Sequence, residues 1–276
     1  MQIISAISEL RSHLRGKEGI AFVPTMGNLH EGHIDLMRIA RQQGKLVVAS
    51  IYVNPLQFGE NEDYGNYPRT LQNDCEKLEQ CGVDVLFTPT DAELYSQPQE
   101  VTVVPPLEND LCGAFRPGHF RGVATVVLKL FNIVQPELAV FGKKDCQQLH
   151  VIRQLVIQLN LPIKIIGGET VRAQNGLALS SRNQYLNQAE LIEAVVLYQT
   201  LVAMRQSVLD GARDFTSIEQ RAARLLSARG WQVDYVAVRA QTSLLPPDSN
   251  ERNLVILAAA RLGKARLIDN LEIRLQ

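Results

Sequence analysis

The segment Pro24-Thr25-Met26-Gly27-Asn28-Leu29-His30-Glu31-Gly32-His33 carries the strongest chemical signal in the chain. His30 and His33 stand three positions apart, so on the first turn of a helix they share a face. Gly27 and Gly32 remove side chains where an anionic chain would approach the backbone. A helix N-terminus adds unpaired N–H groups and a partial positive charge. An imidazole placed there donates hydrogen bonds to a phosphoryl oxygen as negative charge builds on it. A bare His-x-x-His is more often structural than chemical. Here an apolar strand, two glycines and a helix start follow in the order phosphate binding requires, and that favours chemistry. Neither Gly-x4-Gly-Lys-Ser/Thr nor Gly-x-Gly-x-x-Gly occurs, so a P-loop kinase and a standard dinucleotide dehydrogenase are both excluded.

Three further clusters fit the same chemistry. Gly142-Lys143-Lys144-Asp145 follows a second apolar run and supplies compact ammonium groups suited to phosphate. Asp145 is placed to cap the next helix, and Gln148, one turn on, faces the same cleft. Leu179-Ser180-Ser181-Arg182 offers two hydroxyls and a guanidinium able to wrap a triphosphate. Alone that triplet reads as a polar loop; its weight comes from the other clusters. Asn54-Pro55-Leu56-Gln57 trails a strand, and Arg116-Pro117-Gly118-His119-Phe120-Arg121 precedes a helix with two cations suited to a substrate carboxylate. His13 and His150 are assigned to structure or surface.

These groups need a scaffold, and the apolar pattern supplies one. Strands are expected at Ile20–Pro24, Lys45–Val53, Val83–Phe87, Leu138–Phe141 and Ile163–Ile166. Helices are expected between them at Ile34–Gln43 (with Gly44 as C-cap), Arg69–Gln80, Phe120–Val134 and Cys146–Leu159. This alternation predicts an α/β fold, a doubly wound, Rossmann-like parallel sheet that binds ligands at the carboxyl edge of its strands. After about residue 170 the pattern changes to helices Glu190–Val208 and Ser217–Ala228. Strands Val233–Val238, Leu254–Ala260 and Ala265–Leu271 follow, the last two joined by a turn at Gly263. We therefore expect residues 1–170 as a nucleotide-binding domain and 171–276 as a smaller α+β domain that closes over the nucleotide.

Composition narrows the class. Lys+Arg at 28 against Asp+Glu at 29 leaves a charge of −1, without the cationic excess that nucleic-acid binding demands. The longest apolar run, Leu254–Ala260, is far short of the roughly 20 residues of a membrane span. Glu9 and Arg11 interrupt any apolar leader, and Cys75, Cys81, Cys112 and Cys146 form no Cys-x-x-Cys pair. Together these lead us to expect a cytoplasmic protein that binds neither membrane nor nucleic acid.

In sequence order, Pro24–His33, Asn54–Gly59, Tyr67–Thr70, Arg116–Gly122, Val140–Leu149, Gly176–Asn183 and Arg266–Asn270 together resemble the pantoate–β-alanine ligase (pantothenate synthetase) family. The His-x-Gly-His element alone is shared with a wider nucleotidyl-transferase superfamily. The resemblance implies ATP-dependent condensation of pantoate with β-alanine through a pantoyl adenylate, releasing pyrophosphate and AMP. It implies that ATP contacts Met26, Gly27, Asn28, Leu29, His30, Glu31, Gly32 and His33. The same contacts extend to Gly142, Lys143, Lys144, Asp145, Val171, Leu179, Ser180, Ser181 and Arg182. His33, His30 and Lys144 then carry catalysis, with His33 in the proton donor's position. Gln57 and Gln148 hold pantoate and Gln57 also β-alanine, with Arg116 and His119 as further substrate contacts. Mg²⁺ joins through phosphate oxygens and waters, with no protein ligand assigned and Asp74 behind the site. A homodimer is implied as well.

Two positions depart from the family pattern. Lys143 replaces Glu or Gln and adds charge beside the phosphate site, and Gly168-Glu169 replaces Val-Pro before Thr170-Val171. Two other readings compete: a nucleotidylyltransferase that stops at nucleotide transfer, and a nucleotide-binding module without turnover. The retained His30, His33, Lys144 and both glutamines speak against decay of the site.

Overall fold

The structure, a computed structural model, describes residues 1–60 and 62–275 and divides into two compact units. Met1–Lys143 with Val151–Glu169 forms the first, and Lys144–His150 with Thr170–Gln276 the second.

The first unit is built on six parallel strands: β1 (Gln2–Ile4), β2 (Ile20–Thr25), β3 (Leu46–Ile51), β4 (Val85–Phe87), β5 (Leu138–Gly142) and β6 (Lys164–Gly168). Their order is β1-β4-β3-β2-β5-β6. Crossovers are made by α1 (Ile7–Leu14), α2 (Glu31–Gln43), α3 (Leu71–Gln80), α6 (His119–Val134) and α7 (Cys146–Gln158). Two short helices, α4 (Asp91–Leu94) and α5 (Cys112–Phe115), lie in the long connection after β4. Ile20 to Val23 and Val47 to Ser50 are buried without alternation, as a sheet covered on both faces requires. On one face Met37, Ala40 and Leu78 pack onto Ala21, Val23 and Ala49. On the other, Phe131 of α6 sits edge-on between Phe22 and Phe141, with centroids 6.5 and 6.3 Å away.

The expected α/β pattern holds, with differences that have local causes. β1 and α1 are absent from the sequence reading: a three-residue strand shows no period, and α1 has no side-chain cap to announce it. Helix α2 starts at Glu31 rather than Ile34, because its cap is made by histidines rather than by the usual Ser, Thr, Asp or Asn. Gly44 does close α2, but at φ −119°, outside the left-handed region. What it provides is space, since a Cβ there would lie 2.6 Å from that of Ala21.

In the second unit, β7 (Gln232–Ala240), β8 (Asn253–Leu262) and β9 (Ala265–Arg274) form an antiparallel sheet in that order. Gly263, at φ +55°, makes the tight turn between β8 and β9. Against the sheet pack α9 (Val195–Leu209) and α10 (Phe215–Ala228), burying Leu201, Met204 and Leu226 onto Leu254 and Ile256. The helix expected over 190–208 is broken at Ala194, with α8 (Gln188–Glu193) before it. No described helix is long and apolar enough to cross a membrane.

One glycine inside α6 controls how closely that helix approaches the loop after β3. A Cβ on Gly122 would lie 2.2 Å from the Leu56 carbonyl oxygen and 2.7 Å from the Gln57 nitrogen. Both are backbone atoms that cannot swing aside. Gly122→Ala is expected to cost about 1–3 kcal/mol or more through overpacking, read as a lower urea midpoint. Gly65→Ala, whose added Cβ would meet nothing within 4 Å among the described residues, serves as the neutral control.

Candidate active site

The strand order reverses between β2 and β5, because the chain leaves β2 toward β3 on one side and returns to β5 on the other. Open α/β sheets bind ligands at the carboxyl ends of strands beside such a reversal. Here those ends deliver Met26–His33 after β2, Asn54–Gln57 after β3 and Gly142-Lys143 after β5.

The turn after β2 is held by one acid. Gly27 and Asn28 both adopt left-handed backbone, at φ +83° and +50°. Their conformation aims two successive N–H groups at Asp74 on α3, whose side chain is wholly buried. Oδ2 accepts from Asn28 N at 2.9 Å and Oδ1 from Leu29 N at 2.8 Å. The Thr70 hydroxyl donates to Oδ2 at 3.1 Å, and Lys77 Nζ donates to the Leu29 carbonyl at 2.7 Å. A Cβ on Gly27 would press on Ile51 at 3.0 Å and on Asp74 at 3.2 Å, so glycine is required by space as well as by φ. Asp74, expected behind the phosphate site, thus acts on the backbone of the turn itself.

The two histidines cap α2 reciprocally. His30 is the N-cap, and its Nδ1 accepts from Gly32 N at 3.1 Å. His33 Nδ1 accepts from His30 N at 3.3 Å, and the rings lie 4.1 Å apart at 42°. An imidazole nitrogen that accepts carries no proton, so in each neutral ring the N–H is at Nε2. Capping the helix therefore puts the N–H of each ring at Nε2, beside its positive end.

Around Gln57 the polar groups form a tight web. Its side chain is buried, with Oε1 facing Asn54 Nδ2 at 3.2 Å and Nε2 facing the Met26 sulfur at 3.0 Å. His119 Nδ1 donates to the Gln57 carbonyl at 2.7 Å, and Arg116 Nη1 meets His119 Nε2 at 2.9 Å. Glu62 grips Arg116 through two bonds of 2.6 Å. Burial pushes the Glu62 carboxyl up, but the hydrogen bonds and charge of Arg116 more than reverse this and hold it at about 2. Arg121 likewise holds Glu108, at 2.9 and 3.2 Å. Both cations expected to meet a substrate carboxylate are thus engaged by carboxylates of the chain. Lys143 Nζ meets Glu169 at 2.5 Å, so the charge that departs from the family pattern is paired with the other departure. Gly168, beside it, accommodates Leu36 of α2, which would lie 2.4 Å from a Cβ there.

The second unit holds the remaining expected residues. Leu179 N donates to Val171 O at 3.0 Å, so the two flank one narrow arm, and Arg172 bridges to Ala178 inside it. The buried Asp269 anchors the arm by gripping Arg172 at 2.6 and 2.8 Å, and Arg172 also stacks 4.0 Å from the Tyr198 ring centroid. Beyond the arm, Ser180 Oγ accepts from Arg182 N at 3.2 Å and opens a one-turn helix, Ser181–Tyr185. Asn270 Nδ2 donates to the Lys144 carbonyl at 2.9 Å. Asp145 is exposed beside Lys144, and Gln148 is half-buried on the first turn of α7. Glu62, Glu108 and Tyr95 escaped the sequence reading, because nothing local marks an acid or a tyrosine whose partner lies far along the chain.

Three outcomes follow from this geometry. In the neutral protein, His30 and His33 are expected to give ¹⁵N shifts typical of an unprotonated Nδ1 and a protonated Nε2. Asp74→Asn is expected to accelerate hydrogen exchange at the Asn28 and Leu29 amides, because it turns an acceptor into a donor facing one of them. The Glu62–Arg116 pair has a defined pH window. A carboxyl lowered from 4.5 to about 2 stabilises the fold fully above 4.5 and loses that contribution as pH falls toward 2. The stability gap between the parent and Glu62→Gln, from urea midpoints, is expected to be constant near neutrality and to shrink across that interval.

The chain matches the family model of pantoate-beta-alanine ligase over residues 2–272. It is 58% identical to the pantothenate synthetase of Methylobacillus flagellatus over 273 residues, 99% of this chain and 98% of that one. A crystal structure of pantothenate synthetase from Thermus thermophilus superposes with a TM-score of 0.94 at 45% identity, covering 99% of this chain and all of that one. The pantoate-beta-alanine ligase of Francisella tularensis, crystallised with beta-gamma ATP and beta-alanine, gives 0.84 at 36% identity, covering 98% and 97%.

Proposed function

The chain belongs to the pantoate-beta-alanine ligase family and condenses pantoate with β-alanine in an ATP-dependent reaction, and on that premise we propose the path and the residues that carry it. A pantoate carboxylate oxygen attacks the α-phosphorus of ATP, forming the acyl phosphate bond of pantoyl adenylate as the bond to pyrophosphate breaks. The β-alanine amine then attacks the acyl carbon, AMP leaves with the bonding electrons, and the amine gives up its proton.

Negative charge grows on the phosphoryl oxygens in the first step. Nε2–H of His33, aided by His30, donates to those oxygens, and Lys144 supplies the compensating charge. The observation that carries this reading is the reciprocal cap, which consumes Nδ1 of both rings and presents Nε2–H at the positive end of α2. The backbone from Met26 to Gly32 lies along the nucleotide, with Gly142, Lys143, Asp145, Val171 and Leu179 as further contacts. Ser180, Ser181 and Arg182 neutralise the departing pyrophosphate. Mg²⁺ bound with the nucleotide would offset phosphate charge. Such an ion would be held chiefly by phosphate oxygens and waters, the coordination Mg²⁺ favours beside a nucleotide. Gln57 and Gln148 hold pantoate, and Gln57 also β-alanine. Arg116 and His119 bear on that subsite through the Gln57 carbonyl. A homodimer working in the cytoplasm completes the proposal.

Incubation with ATP, pantoate and Mg²⁺ but no amine is expected to accumulate a mixed anhydride detectable by mass spectrometry, and β-alanine is expected to convert it to pantothenate and AMP. A nucleotidylyltransferase would instead ignore β-alanine. His33→Ala and Lys144→Ala are each expected to lower kcat by about 100-fold or more, the loss of a transition-state contact. Near-parental kcat in both would remove the assignment.

A further inference from the structure

Gln57 presents an amide whose two ends are chemically opposite, and a substrate oxygen is bound only if the N–H end faces it. Rotation by 180° would leave the shape of the side chain almost unchanged. Something must choose between the two orientations.

The choice is made in a chain of hydrogen bonds. Gly122 O accepts from Asn54 Nδ2 at 3.2 Å, while Asn54 Oδ1 accepts from Leu56 N at 3.4 Å. Flipping Asn54 would set an oxygen against a carbonyl and an NH₂ against an N–H. The 3.4 Å bond is weak, however, and the stronger contact on Oδ1 is the Tyr95 hydroxyl at 2.8 Å. With Asn54 so oriented, its other N–H reaches Gln57 Oε1 at 3.2 Å. Gln57 Nε2 is then turned toward the Met26 sulfur, a weak acceptor that leaves donor capacity for a ligand.

We propose that Tyr95 is a positioning residue: through Asn54 it orients the Gln57 amide so that N–H donors face the oxygen atoms of the acceptor substrates. The inference rests on the substrate role given to Gln57 above. Tyr95 suits the task because its backbone caps α4, its ring lies 6.3 Å from that of Tyr52, and Lys129 Nζ lies 4.6 Å from its ring centroid. Burial, with a smaller push from Asp91, raises its hydroxyl above the ordinary tyrosine value, so it keeps the proton it donates to Asn54 Oδ1. The selected ligand atoms are acceptors, such as carboxylate or hydroxyl oxygens, and a cationic group is disfavoured at that end of Gln57.

Tyr95→Phe removes one oxygen and keeps the ring. It is expected to lower kcat/KM for pantoate about 5- to 10-fold, the effect of one neutral hydrogen bond, while the KM for ATP stays within about twofold. Introduced into Gln57→Ala, the same change is expected to add no further loss, because the group it positions is gone. In the parent the Gln57 side-chain amide is expected to give two resolved, slowly exchanging NMR signals, which shift and exchange faster in Tyr95→Phe. Unaltered Gln57 amide signals in Tyr95→Phe would overturn the proposal, as would a kinetic loss that multiplies independently in the Gln57→Ala background. Parental kinetics in Gln57→Ala alone would instead overturn the substrate role of Gln57, and the NMR comparison would still decide whether Tyr95 orients it.

Discussion

A carboxylate taken out of water must find donors, and in this protein Asp74 finds them in the backbone of the turn that follows the central strand. Removing a charged group from water costs several kcal/mol unless it is hydrogen-bonded, so the interaction constrains both partners. Asp74 stays buried only while two adjacent N–H groups converge on it. They converge only if Gly27 and Asn28 take left-handed backbone. That conformation turns the chain from β2 into α2 and makes His30 the residue at the helix cap. The position of both imidazoles follows from one buried acid on a different helix.

The same economy governs the other charges of the first unit. Arg116, Arg121 and Lys143 each meet a carboxylate of the chain, so the cations near the strand ends are neutralised before any substrate arrives. The groups the web presents are neutral donors held in place: Gln57 Nε2–H and imidazole Nε2–H. Preorganised dipoles of this kind stabilise developing charge without reorganising during the reaction. In the proposed reaction a carboxylate substrate and a triphosphate would meet these oriented N–H groups, with the ion pairs Glu62–Arg116 and Glu108–Arg121 behind them.

Lys143 and Gly168-Glu169, the two segments expected to depart from the family pattern, lie side by side. Lys143 and Glu169 lie at the ends of adjacent strands β5 and β6, where Gly142 pairs with Gly168, and their charges cancel. Because Glu169 is 80% exposed, the pair contributes little stability; its consequence is electrostatic, since the ammonium at the end of β5 is offset by a carboxylate. Gly168 leaves room for Leu36, so the helix carrying the histidines packs directly on β6.

Local pattern was enough to identify most strands and helices, the alternation behind a parallel sheet, and the motifs at the strand ends, because apolar period and glycine placement act over a few residues. The sequence also shows His30 and His33 one helical turn apart, which suffices to make them neighbours in any helix. It does not show which nitrogen carries the proton. That was decided by a cap in which each ring accepts from the other's end of the turn. Nor does it show that Asp74 reaches back 46 residues to Asn28, that Glu62 holds Arg116 across 54, or that Tyr95 meets Asn54 across 41. A hydrogen bond depends on distance and direction in space. Only the packed sheet, by bringing the ends of β2, β3 and the loops beyond β4 to one edge, sets those distances.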